Sequence, residues 1–261
     1  MPVIDSDGYR LHYREAGTGP LTVFIHGYPL DATMWLDQLA AFSDRRRCVA
    51  VDLRGFGLSD PIAEDVLPME RHAADVAALI ASFGEEPADV IGLSMGGYVA
   101  LAMAELYPGM VRSIGLIDTK ATADPEAAKA NRDVAALNAV VRGRGALADD
   151  LLEALLGSHA PLTAKARLRT MIEGTRVETI VAALEGMKRR PNRMHALKGL
   201  NIPSLVMVGE EDRVTPVPDA EAMADALSKA RLVVIPGVGH MAPIEAPAAV
   251  NAALAEYLDA L

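Results

Sequence analysis

The chain has one cysteine, Cys48, among its 261 residues, so it cannot form an internal disulfide. Cys48 stands in the apolar run 48–51, where a buried strand residue is expected rather than a reactive thiol. The sequence also lacks a basic leader followed by an apolar stretch, and no uncharged apolar run reaches the length of a membrane span. We therefore expect a cytoplasmic protein without a membrane partner.

A positive net charge is also absent, since the formal charge is -10 at pH 7. An acidic chain is a poor partner for a phosphate backbone, so no nucleic-acid partner is expected. The charge is uneven: residues 120–198 hold 14 Lys and Arg against 9 Asp and Glu, and the remainder holds 11 against 26. Solvated helix faces explain this basic middle most simply, and attraction of anions is the alternative.

Residues 120–198 contain no Phe, Tyr or Trp. Any pocket wall that this section supplies would therefore be aliphatic, without aromatic stacking. We expect a small ligand with aliphatic character, and a neutral one, because the acidic remainder of the chain opposes the attraction of anions.

What the chain does contain is an alternation of short apolar runs and amphipathic stretches. Runs at 9–15, 21–25, 47–52, 88–93, 111–118, 203–209 and 232–235 are typical of strands, and helical stretches at 68–83, 95–107, 218–227 and 246–258 separate several of them. This order predicts an α/β fold with a mostly parallel central sheet flanked by helices. Residues 120–198 show helical periodicity without a convincing strand, so we predict an inserted helical cap there, between core segments 1–119 and 199–261.

The segment Gly92–Gly97, Gly-Leu-Ser-Met-Gly-Gly, matches the pattern G-x-S-x-G and lies between an apolar strand and a helix. Such a sharp turn strains the serine backbone and needs small neighbours, and it presents the hydroxyl at a helix N-terminus. Ser94 is therefore a candidate nucleophile. The alternative is a serine that merely caps the following helix.

A serine hydroxyl needs a base, and in proteins with this motif the chain order is serine, acid, histidine. Three histidines follow Ser94: His159, His195 and His240. The first two lie in the predicted cap, whereas His240 ends the Gly-rich loop 237–240 before the last helix. His240 is the candidate base.

The acid orients the imidazole and stabilises its cation. Asp212 lies three residues beyond Gly209, at the end of a predicted strand, and is the candidate. Its neighbours Glu210 and Glu211 remain alternatives by chemistry, and Asp118, at the end of the preceding strand, remains one by topology.

Backbone N–H groups usually stabilise the oxyanion of acyl transfer. By position, the donors would be Met95, which follows the nucleophile, and Tyr28, in the loop after the strand 21–25. His26 precedes Ser94 in the chain, so we interpret it as a residue that shapes this loop.

Together these motifs resemble those of the α/β-hydrolase superfamily over nearly the whole chain, and within it bacterial serine esterases and 3-oxoadipate enol-lactone hydrolases. The matching segments are 26–29 with Asp31, Met34 and Trp35, then 52–59, 92–97, 209–216 and 237–240. The resemblance implies hydrolysis of a small ester or lactone through an acyl-enzyme, without metal or organic cofactor. Carbon–carbon bond hydrolysis and a hydrolase-like ligand sensor remain alternatives, because fold and triad leave the substrate open.

Overall fold

The computed structural model describes residues 2–84 and 86–261. Its strands are β1 Val3–Ser6, β2 Tyr9–Ala16, β3 Leu21–Ile25, β4 Arg47–Val51, β5 Ala88–Leu93, β6 Val111–Ile117, β7 Ser204–Gly209 and β8 Ala230–Ile235. They form one sheet in the order β1-β2-β4-β3-β5-β6-β7-β8. Pairings that involve β2 are antiparallel, and all others are parallel. The predicted α/β fold with a mostly parallel sheet is confirmed.

The three strands β3, β5 and β7 are buried along their whole length. Continuous apolar runs are typical of parallel strands that helices cover on both faces. In the register, Ile25 pairs with Gly92 and Ile117 pairs with Met207. The carboxyl ends of these strands therefore meet at one edge of the sheet, where such folds place their ligands.

The core helices are α1 Leu36–Phe42, α2 Met69–Ser82, α3 Met95–Leu106, α8 Val217–Ala226, α9 Ala242–Glu245 and α10 Pro247–Leu258, and the helices between β6 and β7 are α4 Glu126–Leu155, α5 Leu162–Gly174, α6 Val177–Arg189 and α7 Met194–Leu197. Short 3₁₀ segments cover Ala32–Trp35 and Pro108–Met110. Nowhere in the described chain does a helix combine the length and the apolar character that crossing a membrane requires.

Three core elements escaped the sequence pattern: β1, α1 and the four-residue helix α9. The strand β1 is short, lies at the sheet edge and consists of two apolar residues followed by two polar ones, without alternation. The helix α1 follows a 3₁₀ turn without a separating loop, so its start carries no signal of its own. Cys48 lies buried in β4, as predicted, and burial raises the pKa of its thiol to about 12.

The helices α4 to α7 occupy the place of the predicted cap, and α4 packs against α5 and α6. A kink divides α4 at Gly143, whose φ of 78° belongs to the left-handed region that glycine tolerates. The apolar residues that predicted the helix, Val134, Leu137, Val140 and Val141, are exposed. The buried residues of α4 instead include Leu147, which lies beyond the kink.

Candidate active site

Ser94 forms the turn between β5 and α3 with φ 53° and ψ -113°. This backbone conformation is costly for a residue other than glycine, and it persists only where its surroundings enforce it. Here the Ser94 N–H donates to the Ile117 carbonyl at 2.9 Å, and the Ser94 carbonyl accepts from the Thr119 hydroxyl at 2.8 Å. The Ser94 side chain makes no capping hydrogen bond to α3. The alternative of a helix-capping serine is therefore wrong.

The turn closes because its glycines lie against backbone. A Cβ on Gly92 would lie 2.1 Å from the Gly96 carbonyl oxygen, and one on Gly96 would lie 2.2 Å from the Ile25 carbonyl oxygen. Only hydrogen fits at these positions, which explains the small residues of the motif.

His240 and Asp212 are joined by a hydrogen bond of 2.7 Å between Nδ1 and Oδ2, and both side chains are buried. Asp212 also accepts from the N–H groups of Val214 and Thr215 and from the Thr215 hydroxyl. Burial opposes ionisation of Asp212, but the hydrogen bonds from His240 and Thr215 outweigh it and lower the pKa of Asp212. An ionised Asp212 holds the His240 proton on Nδ1 and leaves Nε2 as the acceptor.

A cavity of about 210 Å³ opens where the β-strand ends meet the cap, and both Ser94 and His240 line it. The cap contributes aliphatic side chains such as Leu147, Leu151 and Leu184. The backbone N–H of His240 also donates to the Leu155 carbonyl at 2.8 Å, which ties the histidine loop to the cap. Over the described residues, no group of His, Cys, Asp and Glu side chains is arranged to hold a metal ion.

The two residues expected to supply the oxyanion donors, Tyr28 and Met95, both lie close to Ser94. Met95 is the first residue of α3, where an N–H has no partner within the helix. Tyr28 follows Gly27, whose missing Cβ would lie 2.7 Å from the Leu93 side chain and 3.4 Å from the Cβ of Ser94. The loop therefore approaches the serine closely, and Tyr28 lines the same cavity.

A family model for the alpha/beta hydrolase fold matches residues 20–247, which include every residue described in this site. The chain belongs to the α/β-hydrolase fold family. This places it in a family of hydrolase enzymes, as the motifs indicated.

Several known proteins resemble this chain closely in structure or in sequence. A thermophilic esterase from Thermogutta terrifontis, solved with malate bound, is 36% identical, with a TM-score of 0.92 over 99% of this chain and 96% of that one. The enol-lactonase from Burkholderia xenovorans is 26% identical, with a TM-score of 0.91 over 99% of this chain and 100% of that one. By sequence, a 2-(acetamidomethylene)succinate hydrolase from Mesorhizobium japonicum is 29% identical over 98% of this chain and 94% of that protein.

The alternative acids next to Asp212 form hydrogen bonds with other loops of the chain. Glu210 accepts from the Gly237 N–H at 2.9 Å, and Glu211 accepts from the N–H and hydroxyl of Ser158 at 2.6 and 3.0 Å. His240 contacts Asp212 instead.

The remaining histidines lie elsewhere. His159 is exposed, and His195 is exposed beside Glu105. His26 is buried, accepts from the Leu53 N–H at 3.0 Å and contacts the Gly27 carbonyl through Nδ1 at 2.9 Å. The interpretation of His26 as a loop-shaping residue agrees with these bonds.

Asp118, the topological alternative, lies close to Asp212 at the carboxyl end of β6. Its two oxygens accept from the N–H groups of Gly209 and Ala242 at 2.8 and 3.2 Å. Burial and the charge of Asp212 together raise the pKa of Asp118 well above its usual range. Asp118 thus joins β6, β7 and α9, and its raised pKa contrasts with the lowered pKa of Asp212.

Sequence reasoning missed three polar residues of the cavity, Tyr98, Asn131 and Arg132. Tyr98 had a usable signal, because it stands four residues after Ser94 and thus one helical turn into α3. Arg132 had no usable signal in the sequence, since it is one of 14 basic residues between 120 and 198. The cap does lack aromatic residues, but Tyr28 and Tyr98 from the core supply two rings.

Proposed function

We propose that the chain is a serine hydrolase that cleaves a small carboxylic ester or lactone through an acyl-enzyme on Ser94. The observation that carries the proposal is the 2.7 Å hydrogen bond between His240 Nδ1 and Asp212. It leaves Nε2 of His240 as the only basic ring nitrogen, on a side chain that lines the same cavity as Ser94.

In the proposed reaction, Ser94 Oγ attacks the substrate carbonyl carbon as its proton moves to Nε2 of His240. The N–H groups of Tyr28 and Met95 bind the oxyanion of the tetrahedral intermediate. Its collapse breaks the carbon–oxygen bond, and His240 returns the proton to the leaving alcohol. Water, deprotonated by His240, then releases the carboxylic acid and restores Ser94.

The size and walls of the cavity support a small aliphatic acyl group. Its volume of about 210 Å³ equals that of roughly seven liquid waters. The walls from Leu147, Leu151 and Leu184 favour an alkyl chain. The expectation of a neutral substrate has less support, because Arg132 lines the same cavity.

A lactone-specific enzyme is the second candidate, favoured by the similarity to an enol-lactonase. Rates on p-nitrophenyl esters of increasing chain length, compared with rates on a panel of lactones and enol-lactones, separate the two. A lactone rate that exceeds the best ester rate by more than about tenfold identifies the lactonase.

The direct test of the proposal is Ser94→Ala. Without the hydroxyl no acyl-enzyme forms, so turnover of the best ester should fall by on the order of 10⁴- to 10⁶-fold while the fold persists. Ser228→Ala, at an exposed serine, is the control and should keep the wild-type rate. A fluorophosphonate should add to Ser94 alone, as read by peptide mass spectrometry. Activity of Ser94→Ala near the wild-type rate contradicts the proposal, and a single acylation without repeated turnover indicates a ligand sensor.

A further inference from the structure

One end of the cavity carries a positive charge that the chain does not neutralise. The cluster consists of Arg132, Arg190 and Asp124, which are two guanidinium groups and one carboxylate. Asp124 accepts from Arg190 Nη2 at 2.7 Å and from Arg132 Nε at 2.5 Å. The Asp124 and Arg190 side chains are 1% and 3% exposed. A buried surplus of one positive charge is costly unless an anion completes it.

Arg190 is fully occupied within this cluster. Besides Asp124, it donates to the carbonyls of Met187 and Thr122 at 2.8 and 3.0 Å, and its guanidinium stacks 4.1 Å from the centre of the Tyr98 ring. Arg132 is different, since it lines the cavity: besides Asp124, its guanidinium contacts the Met187 sulfur, 3.5 Å from Nη1, and lies within reach of the Tyr98 hydroxyl. The surplus charge is therefore presented by Arg132.

The surroundings of Arg132 in the cavity contain donors and no competing carboxylate. Among the described lining residues, Arg132 is the only Lys or Arg, and none is Asp or Glu. The Tyr28 hydroxyl is buried and has no hydrogen-bond partner in the described part of the chain. Burial raises the pKa of Tyr28, and the charge of Arg132 acts in the opposite direction, which places the phenol within reach of its field.

We propose that Arg132 and the Tyr28 hydroxyl bind an ionised carboxylate of the substrate, which makes the natural substrate an ester or lactone that carries a second, free carboxylate. A guanidinium and a phenol donor match such a group in charge and in hydrogen bonding. Tyr28 is also an expected oxyanion donor through its backbone N–H. Its N–H would therefore contact the reacting carbonyl, and its hydroxyl would contact the distant carboxylate. The inference rests on the proposed hydrolase function, which identifies the other end of the substrate as the ester or lactone that reacts with Ser94.

Binding can be tested without catalysis in the Ser94→Ala protein. Calorimetry compares monomethyl esters of dicarboxylic acids of four to six carbons with the dimethyl esters of the same acids, which lack the free carboxylate. We expect at least one monomethyl ester to bind roughly 10- to 100-fold more tightly than its dimethyl partner, and Arg132→Met to remove that difference. Equal affinities at every length, or a preference that persists in Arg132→Met, overturn the proposal.

Catalysis provides the second readout, with mono-p-nitrophenyl succinate and p-nitrophenyl butyrate as matched substrates. The ratio of their kcat/KM values should fall roughly 10- to 100-fold in Arg132→Met and by a smaller factor in Tyr28→Phe, which keeps the backbone N–H. Arg142→Met removes the same charge from an exposed position of α4 and should leave the ratio unchanged. An equal loss on both esters in Arg132→Met makes Arg132 a structural residue and overturns the proposal.

Salt separates a direct contact from long-range steering by the basic cap. Arg132 is only 20% exposed, so the preference for the anionic ester should survive 0.5 M salt, at a Debye length of roughly 4 Å. Loss of the preference in salt assigns it to surface steering and contradicts the contact. If neither ester reacts with the wild type, the proposed hydrolase function is contradicted. The carboxylate site is then still tested by the binding comparison.

Discussion

At the scale of single residues, two neighbouring carboxyl groups have opposite properties. The pKa of Asp212 is lowered by hydrogen bonds that outweigh its burial, and the pKa of Asp118 is raised by burial and by the charge of Asp212. Pairs of titratable groups driven apart in this way are typical of sites where one group must be charged and the other neutral. The histidine contact assigns the charged role to Asp212.

Substitution of each carboxyl group by an amide distinguishes these roles in catalysis. Asp212→Asn removes the acceptor that selects the His240 tautomer, so we expect turnover to fall by roughly 10⁴-fold. Asp118→Asn replaces a neutral group by a neutral group and should cost less than about tenfold. Steady-state rates on the best ester measure both, and the reverse order would transfer the role of the acid to Asp118.

At the scale of elements, the turn from β5 to α3 is built by close backbone contacts. Ser94 can hold its strained conformation because β3 and the end of β6 fix the turn: Ile25 lies against Gly96, the Ile117 carbonyl accepts from the Ser94 N–H, and the Thr119 hydroxyl donates to the Ser94 carbonyl. The strain is thus offset by packing and hydrogen bonds outside the motif itself.

The contact at Gly92 predicts a stability effect at this turn. In Gly92→Ala the added methyl would meet the Gly96 carbonyl at 2.1 Å, and backbone cannot move aside as a side chain can. We expect a loss of roughly 3 kcal/mol or more in the free energy of unfolding, at the upper end of overpacking effects. Gly109→Ala is the control, since no atom lies within 4 Å of its Cβ position. Urea denaturation followed by circular dichroism measures both, and similar midpoints for the two variants would contradict the packing explanation.

At the scale of the whole molecule, a few buried polar groups join segments that are distant in the chain. Asp118 bonds to Gly209 and Ala242, 91 and 124 residues away. Glu245 accepts from the Gly157 N–H at 2.8 Å, and so connects the loop between α4 and α5 to α9. The cavity lies close to these connections, because Leu155 and His240, which line it, are two residues from Gly157 and Ala242.

The raised pKa of Asp118 makes the stability of the molecule depend on pH. Above a pH of about 4 the unfolded chain releases this proton, whereas the folded protein keeps it until the pH reaches the raised value. The stabilisation is thus present at low pH and is lost as pH rises, by at most about 1.4 kcal/mol per pH unit. Asp212, whose pKa is lowered, is ionised in both states from pH 5 upward and adds no slope.

Asp118→Asn removes this pH dependence. It also loses the hydrogen bond from the Ala242 N–H, which lowers the free energy of unfolding by the same amount at every pH. We therefore expect the variant to gain stability relative to the wild type as pH rises from 5 to 8, measured as free energies of unfolding in urea at four pH values. Asp225→Asn, at an exposed position, is the control for charge removal. Parallel curves for Asp118→Asn and wild type would mean that the carboxyl group ionises in the folded protein.

Much of the fold followed from the sequence because its signals are local. Strand β5 and the start of α3 were predicted within a residue, since a continuous apolar run, a glycine-framed serine and helical periodicity stand next to each other. The edge strand β1 gives no such signal, because four residues with two polar ones read equally well as a loop.

The residues of the candidate site likewise include some that the sequence predicts and others that only the structure identifies. Ser94, His240 and Asp212 could be proposed from chain order, because parallel strands bring their carboxyl ends to one edge whatever the details of packing. The choice of Asp212 over Glu210, Glu211 and Asp118 rests on which carboxylate reaches the imidazole, and that distance exists only in the folded chain. Arg132 lines the cavity, whereas Val134 and Leu137 on the same helix are exposed. This difference likewise depends on how α4 packs on its neighbours. Periodicity shows that a helix has two faces, but only the tertiary packing decides which face is buried and where a surplus charge points.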